Sequence, residues 1–151
     1  MERRGCGPVR ARECDPERMY KAAGVLFLSL DADLDTVVLL AQETRDGRDA
    51  WIDIGGRREV DDTSSLVTAQ RELTEETGGQ LSLIQEQIVR KLWCGRCKYV
   101  LFLAYLEFDA IRSYRPTETL PALQWFKLEQ LLFRTDTIEM HDRLHRLVEV
   151  M

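Results

Sequence analysis

The chain has 151 residues, the size of one ordinary domain, and can bury a core without disulfide or metal staples. Hydrophobic residues make up 44% and charged residues 31%, a globular composition that argues against a disordered, solenoid or low-complexity chain. The formal net charge of −5 speaks against broad attraction to nucleic acid or an anionic membrane, so an anionic substrate would need an added cation.

Residues 1–19 mix Arg, Glu, Pro and Gly without an apolar period and read as an irregular arm, ahead of a domain spanning 20–151. The arm holds no apolar signal-like core, and the apolar runs "AAGVLFLSL" and "YVLFLAYLEF" have strand length rather than membrane length. The expectation is a soluble intracellular (cytoplasmic) protein with reduced cysteines.

"YKAAGVLFLSL" and "TVVLLAQE" read as strands separated by the turn-forming "DADLD", and "WIDI" as a third strand after "DGRD". After Gly56 the pattern becomes helical, with Asp62, Thr63 or Ser64 available as N-cap and Gly78 in the C′ position. Leu66, Ala69 and Leu73 form its apolar stripe. "LSLIQEQIVRKLW" and "KYVLFLAYLEF" predict a long hairpin about "CGRC", followed by the loop "SYRPTETLP", a strand "LQWFKL" and C-terminal helices. Strands on both sides of an internal helix predict an α/β sandwich with a mixed sheet.

Glu72, Glu75 and Glu76 crowd one side of the predicted helix. At about 100° per residue they fall within an arc of roughly 100°, at the edge of the apolar stripe. Their repulsion is small on an isolated helix, about 0.2–0.5 kcal/mol per pair, and Arg71 offsets part of it. A divalent cation would offset more, because Mg²⁺ and Mn²⁺ prefer oxygen ligands and are commonly completed by substrate phosphates. Gly55 and Gly56 lack Cβ atoms and leave room for a phosphate chain beside the helix. Taken alone, Arg-Glu-x-x-Glu-Glu reads first as a solvated helical face.

The longer string resembles the Nudix hydrolase family, whose box is Gly-x5-Glu-x7-Arg-Glu-U-x-Glu-Glu-x-Gly-U, where U is bulky and apolar. Arg71, Glu72, Leu73, Glu75, Glu76 and Gly78 match it in register, and the order of strands, box and closing "LQWFKLEQLL" is similar from about Tyr20 onward. Two positions depart. Five residues separate Gly56 from Asp62, but eight rather than seven separate Asp62 from Arg71, and Thr63 takes the Glu position when counted back from Arg71. Asp62 therefore reads either as the box acid displaced by one residue or as a helix cap. Gly79 fills the last U position.

The resemblance implies the Nudix fold, an α/β/α sandwich with a mixed sheet and a loop-helix catalytic box. It also implies a metal-dependent pyrophosphohydrolase cleaving a nucleoside diphosphate linked to another moiety, or a related small nucleotide. It assigns Glu72, Glu75 and Glu76 to Mg²⁺ or Mn²⁺, and makes Arg71 the residue that orients a box glutamate. Arg57 and Arg58, with Gly55 and Gly56, are the candidate phosphate contacts. Two general bases are carried, a box glutamate such as Glu76 and the loop residue Glu118. A decapping enzyme acting on mRNA and a Nudix-fold binding module are the alternatives.

Other residues have bland and functional readings side by side. Trp51 and Tyr99 suit either the core or stacking on a base. "CGRC" has zinc-knuckle spacing, yet Cys6 and Cys14 are poorly spaced as partners. Gly95-Arg96 instead fits a two-residue type II′ turn, so a hairpin with thiols is expected ahead of zinc or redox chemistry. His141 and His145 read as one side of a partly buried helix rather than a metal pair.

Overall fold

A continuous apolar run such as Ala23–Phe27 can be buried only if both faces of its sheet are covered, and that requirement fixes the architecture. The structure is a computed structural model and describes residues 15–45 and 47–133. Its elements are α1 (Pro16–Met19), β1 (Ala22–Leu30), β2 (Thr36–Arg45), β3 (Arg48–Ile52), β4 (Ile54–Arg57), α2 (Ser65–Thr77), β5 (Ile88–Cys94), β6 (Tyr99–Tyr105), β7 (Leu123–Lys127) and α3 (Leu128–Phe133). The predicted helices beyond α3, including His141 and His145, lie outside the described residues, as do Cys6 and Cys14.

The seven strands form one mixed sheet with the central order β3-β2-β1-β6-β5. β1 runs parallel to β6 along Ala22–Leu28, and all other pairings are antiparallel. On its opposite edge β1 is shared, Ala22–Val25 pairing with β4 and Leu28–Leu30 with β2. Side chains alternate across this sheet. Val25, Phe27, Leu39, Val100 and Phe102 meet Ala69 and Leu73 of α2, while Leu26, Val38, Leu40, Leu101 and Phe126 meet Leu131 of α3. Helices packed around a mixed sheet give the expected α/β/α layering.

The box helix begins and ends where local chemistry directs. Of the three candidate caps, Ser64 holds the position, its Oγ accepting from the Val67 amide at 3.2 Å. Gly78 ends the helix in the left-handed conformation at φ 64°. Gly79 follows at φ 78°, which accounts for glycine where the family pattern carries a bulky residue.

Three expectations are corrected. Strand β5 starts at Ile88 rather than Leu81. Leu81 and Leu83 do alternate into the core beneath α2, but the Leu83 carbonyl is taken by the Gln70 side chain at 2.9 Å instead of a neighbouring strand. A 3₁₀ turn at Gln85–Gln87 then leads into the sheet. The β5-β6 connection is not a two-residue type II′ turn, because Cys94 pairs with Tyr99 and leaves Gly95 to Lys98 outside the ladder. The positive φ that such a turn demands at Gly95 is found instead at Lys98, at 52°. Finally, residues 16–19 form a helical turn, capped by Asp15 and tied to the box helix by Glu17, whose carboxylate accepts from the Ser65 amide at 2.9 Å.

Gly24 and Gly55 face each other across β1 and β4, and the Tyr99 hydroxyl lies against both. A Cβ at Gly24 would overlap that hydroxyl and approach the Ile54 carbonyl to 2.5 Å. Gly24→Ala should therefore destabilise the fold by about 1–3 kcal/mol in urea denaturation, and Tyr99→Phe should recover part of the loss when combined with it.

Candidate active site

The loop from Gly55 to Ser64 has few apolar side chains to fix it, and its order comes from Arg71. Arg71 Nε and Nη2 donate to the two carboxylate oxygens of Asp62 at 3.1 and 2.9 Å, a bidentate pair, and Nη2 also donates to the Arg57 carbonyl at 2.8 Å. Asp62 is buried and additionally accepts from the Glu59 amide and the Thr68 hydroxyl, each at 2.8 Å. The hydrogen bonds from Arg71 hold the Asp62 carboxyl well below the usual carboxylate range, against the opposing effect of burial. Hydrogen bonding to Asp62 likewise raises the Arg71 guanidinium above its ordinary value. Asp62 is thus the acid paired with the box arginine, and the extra residue in the loop is absorbed before the Ser64 cap.

Arg71 then divides the glutamates. Its Nη1 donates to Glu72 at 2.9 Å and to Glu75 at 3.2 Å. Glu75 is exposed and turned toward this arginine, whereas Glu72 lies against Gly56, where a Cβ would overlap its carboxylate. Glu76 lines a cavity of about 410 Å³ together with Gly55, Gly56 and Arg57. Burial, then the hydrogen-bonded Glu72 carboxylate, then the charges of Asp53 and Glu43 push the Glu76 carboxyl up to about 8.

Asp53, Glu43 and Tyr99 complete the cavity, and the sequence reading gave none of the three a place there as an acid or its partner. Asp53 is 2% exposed at the junction of β3 and β4, and the Tyr99 hydroxyl donates to its Oδ2. A charged residue between Ile52 and Ile54, directly before the glycine pair, was the available signal, since Asp is rarely buried without a partner.

Among the other predicted residues, Arg58 does not line the cavity; its guanidinium stacks over Tyr20 at 4.2 Å and bonds the Arg18 and Tyr20 carbonyls. Trp51 packs edge-on against Phe126 at 5.0 Å. Glu118 is exposed and outside the cavity lining, although its loop is fastened to the box helix by the Thr117 and Thr119 hydroxyls, which donate to the Glu76 carbonyl at 2.7 and 3.1 Å. Thr119 and Leu120 reach the cavity.

Two other polar features lie outside this cavity. A cavity of about 420 Å³ at the opposite end of α2 contains Glu17, bonded to Ser65 and paired with Lys91 at 2.7 Å. Asp31, Asp33 and Asp35 form the β1-β2 turn, in which Asp31 accepts two backbone amides and Lys127 pairs with Asp35 at 2.8 Å.

A loop-helix ledge of carboxylates thus stands beside a cavity at one side of the mixed sheet. The NUDIX domain model matches residues 20–147, and the chain belongs to the Nudix family. It is a hydrolase of phosphoric anhydride bonds, a class that generally works with divalent metals. Curated protein sequences contain no match. The fold is similar to that of a MutT/nudix family protein from Listeria innocua, at TM-score 0.58 and 16% identity, covering 85% of this chain and 88% of that one. An Ap4A hydrolase of C. elegans, solved as a binary complex, gives 0.55 and 19%, covering 85% and 93%. The NUDIX domain of Shewanella oneidensis NrtR complexed with ADP ribose gives 0.54 and 18%, covering 87% and 84%.

The two perturbed carboxyls predict opposite pH responses. Asp62, depressed in the folded state, contributes stability above its unfolded value of 3.8 that is lost as pH falls through the folded value. Asp62→Asn should cost on the order of 3 kcal/mol at neutral pH and flatten the acid limb of a stability profile. Glu76, raised in the folded state, contributes stability that is complete below 4.5 and lost as pH rises through about 8. In metal-free protein, Glu76→Gln should remove that decline, and a saturating divalent cation should do the same in the wild type, both read from thermal melts that extend about one unit beyond each end of that range.

Proposed function

We propose that the protein is a metal-dependent pyrophosphohydrolase for a small nucleotide, cleaving a nucleoside diphosphate from the moiety attached to it. The observation carrying this reading is the cavity between the glycine pair and Glu76, whose volume of about 410 Å³ is that of a small-molecule site. One similar structure is an Ap4A hydrolase and another a NUDIX domain complexed with ADP ribose, which supports the same substrate class.

The donor set fits a hard divalent cation. Glu72 and Glu76 are in contact, and the fields of Asp53 and Glu43 fall on Glu76, so negative charge exceeds what Arg71 balances at Glu72. Glu72 and Glu76, joined by Glu75 on release from Arg71, would hold Mg²⁺ or Mn²⁺. When bound, the cation supplies charge neutralisation at phosphate and a more acidic water.

The chain's own residues do the rest. Arg71 fixes the Glu72 carboxylate through the 2.9 Å bond and anchors the loop through Asp62. Gly55 and Gly56 let the phosphate chain approach the backbone, and Arg57 at the cavity wall contacts it. Glu76, at the cavity wall beside Glu72, receives the proton of the attacking water. Water adds to phosphorus and the anhydride oxygen leaves with one product. Glu118 is the second candidate base, and its exposed position favours Glu76.

The test is turnover of nucleotides, nucleotide sugars, dinucleotide polyphosphates, diphosphoinositols and capped RNA with Mg²⁺ or Mn²⁺. A small nucleotide substrate should be hydrolysed, a chelator should abolish the activity, and readdition of metal should restore it. Glu76→Gln should lower kcat by about 100-fold or more, whereas Glu118→Gln should change it by less than about tenfold. Exclusive turnover of capped RNA would overturn the small-substrate reading.

A further inference from the structure

The "CGRC" turn lies outside the carboxylate site, yet it is fastened to the cavity by its backbone. Cys94 is the last residue of β5 and Cys97 lies in the four-residue turn before Tyr99. Their Sγ atoms are in hydrogen-bond contact at 2.9 Å, and both residues are half-buried. A disulfide requires about 2.05 Å, so closure asks for a movement of roughly 1 Å at sulfur. With so few residues between them, the second thiol has a high effective concentration at a mixed disulfide formed on the first.

We propose that Cys94 and Cys97 are a reactive dithiol, oxidised to an intramolecular disulfide by an anionic low-molecular-weight disulfide of the glutathione type, and that closure alters the substrate cavity. Arg96 and Lys98 place two cations on the turn and favour an anionic reagent over a neutral one. One cysteine thiolate attacks a sulfur of the reagent, expelling one thiolate and leaving a mixed disulfide. The other then displaces the second reagent thiolate. The net change is one Cys94–Cys97 disulfide formed, one reagent disulfide reduced to two thiols, and both protein thiol protons released to them.

Coupling to the site runs through Lys98. Its carbonyl accepts from the amides of Lys21 at 2.7 Å and Ala22 at 3.4 Å, and its backbone holds a left-handed φ of 52°. Ala22 and Tyr99, the residues on either side of this junction, both line the cavity, and Tyr99 donates to Asp53 there. A turn drawn in by a disulfide must move Lys98, and with it the two strand ends that form the cavity wall.

The experiment uses the full chain carrying Cys6→Ser and Cys14→Ser, so that Cys94 and Cys97 are its remaining thiols. It is equilibrated in buffers from reduced to oxidised glutathione and read by alkylation with mass spectrometry. Hydrogen exchange of the Ala22–Val25 and Tyr99–Leu101 peptides is followed, together with KM for a nucleotide substrate. Loss of both alkylation sites with loss of two hydrogens, faster with oxidised glutathione than with neutral hydroxyethyl disulfide, is expected. Exchange at both peptides should change, KM should shift by about threefold or more, and dithiothreitol should reverse all three. Cys94→Ser should stop at a mixed disulfide on Cys97. Failure to close at any glutathione ratio, closure without change in exchange and KM, or near-stoichiometric zinc protecting the thiols would overturn the proposal. The KM arm alone rests on the proposed substrate class; alkylation and exchange report on the dithiol even if that reading fails.

Discussion

The bidentate pair between Arg71 and Asp62 is the interaction from which the site is built. One guanidinium binds a buried carboxylate, the Arg57 carbonyl, Glu72 and Glu75, and so fixes the approach loop and the box helix to each other. Asp62 in turn accepts from Thr68, whose hydroxyl also contacts that of Tyr20 at 3.0 Å, so the network reaches the start of the domain. A planar fork with five donors can satisfy so many acceptors in one place; an ammonium on a flexible stem would not hold them in register.

Around that anchor the protein concentrates negative charge. Glu72, Glu76, Asp53 and Glu43 arrive from a helix, a strand junction and a strand, and burial together with the field of the other three raises the proton affinity of Glu76. The arrangement is unfavourable for the bare fold and favourable for a bound cation, which links folding to function. In the proposed reading, stability given up by crowding carboxylates is recovered when metal and phosphate enter. The cavity draws its lining from β1 through Ala22, β2 through Glu43, the β3-β4 junction, β6 through Tyr99 and the box helix through Glu76.

Close backbone approach is the second constraint. Tyr99 reaches from β6 across β1 to Asp53 because Gly24 and Gly55 carry no Cβ in its path. Gly56 does the same for Glu72. The glycine pair before the box therefore serves side-chain placement as well as access for phosphate. One of its requirements originates in a residue 44 positions away, counted from Gly55 to Tyr99.

The sequence by itself determined what depends on local periodicity. The box helix with its Gly78 end, the ledge of Glu72, Glu75 and Glu76, and the apolar strands β1, β2 and β6 all follow from spacings of a few residues, as does the family. Tertiary structure decided what depends on pairing between distant strands. Whether Asp62 caps a helix or binds Arg71 turned on where the loop folds: Ser64 takes the cap, and Asp62 pairs with Arg71. Glu43, Asp53 and Tyr99 meet only because β1 pairs with β2, β4 and β6 at once, a coincidence no local period encodes. Leu81–Gln87 alternates like a strand yet leaves the ladder, since alternation specifies a buried face while a hydrogen-bonding partner must come from elsewhere in the chain.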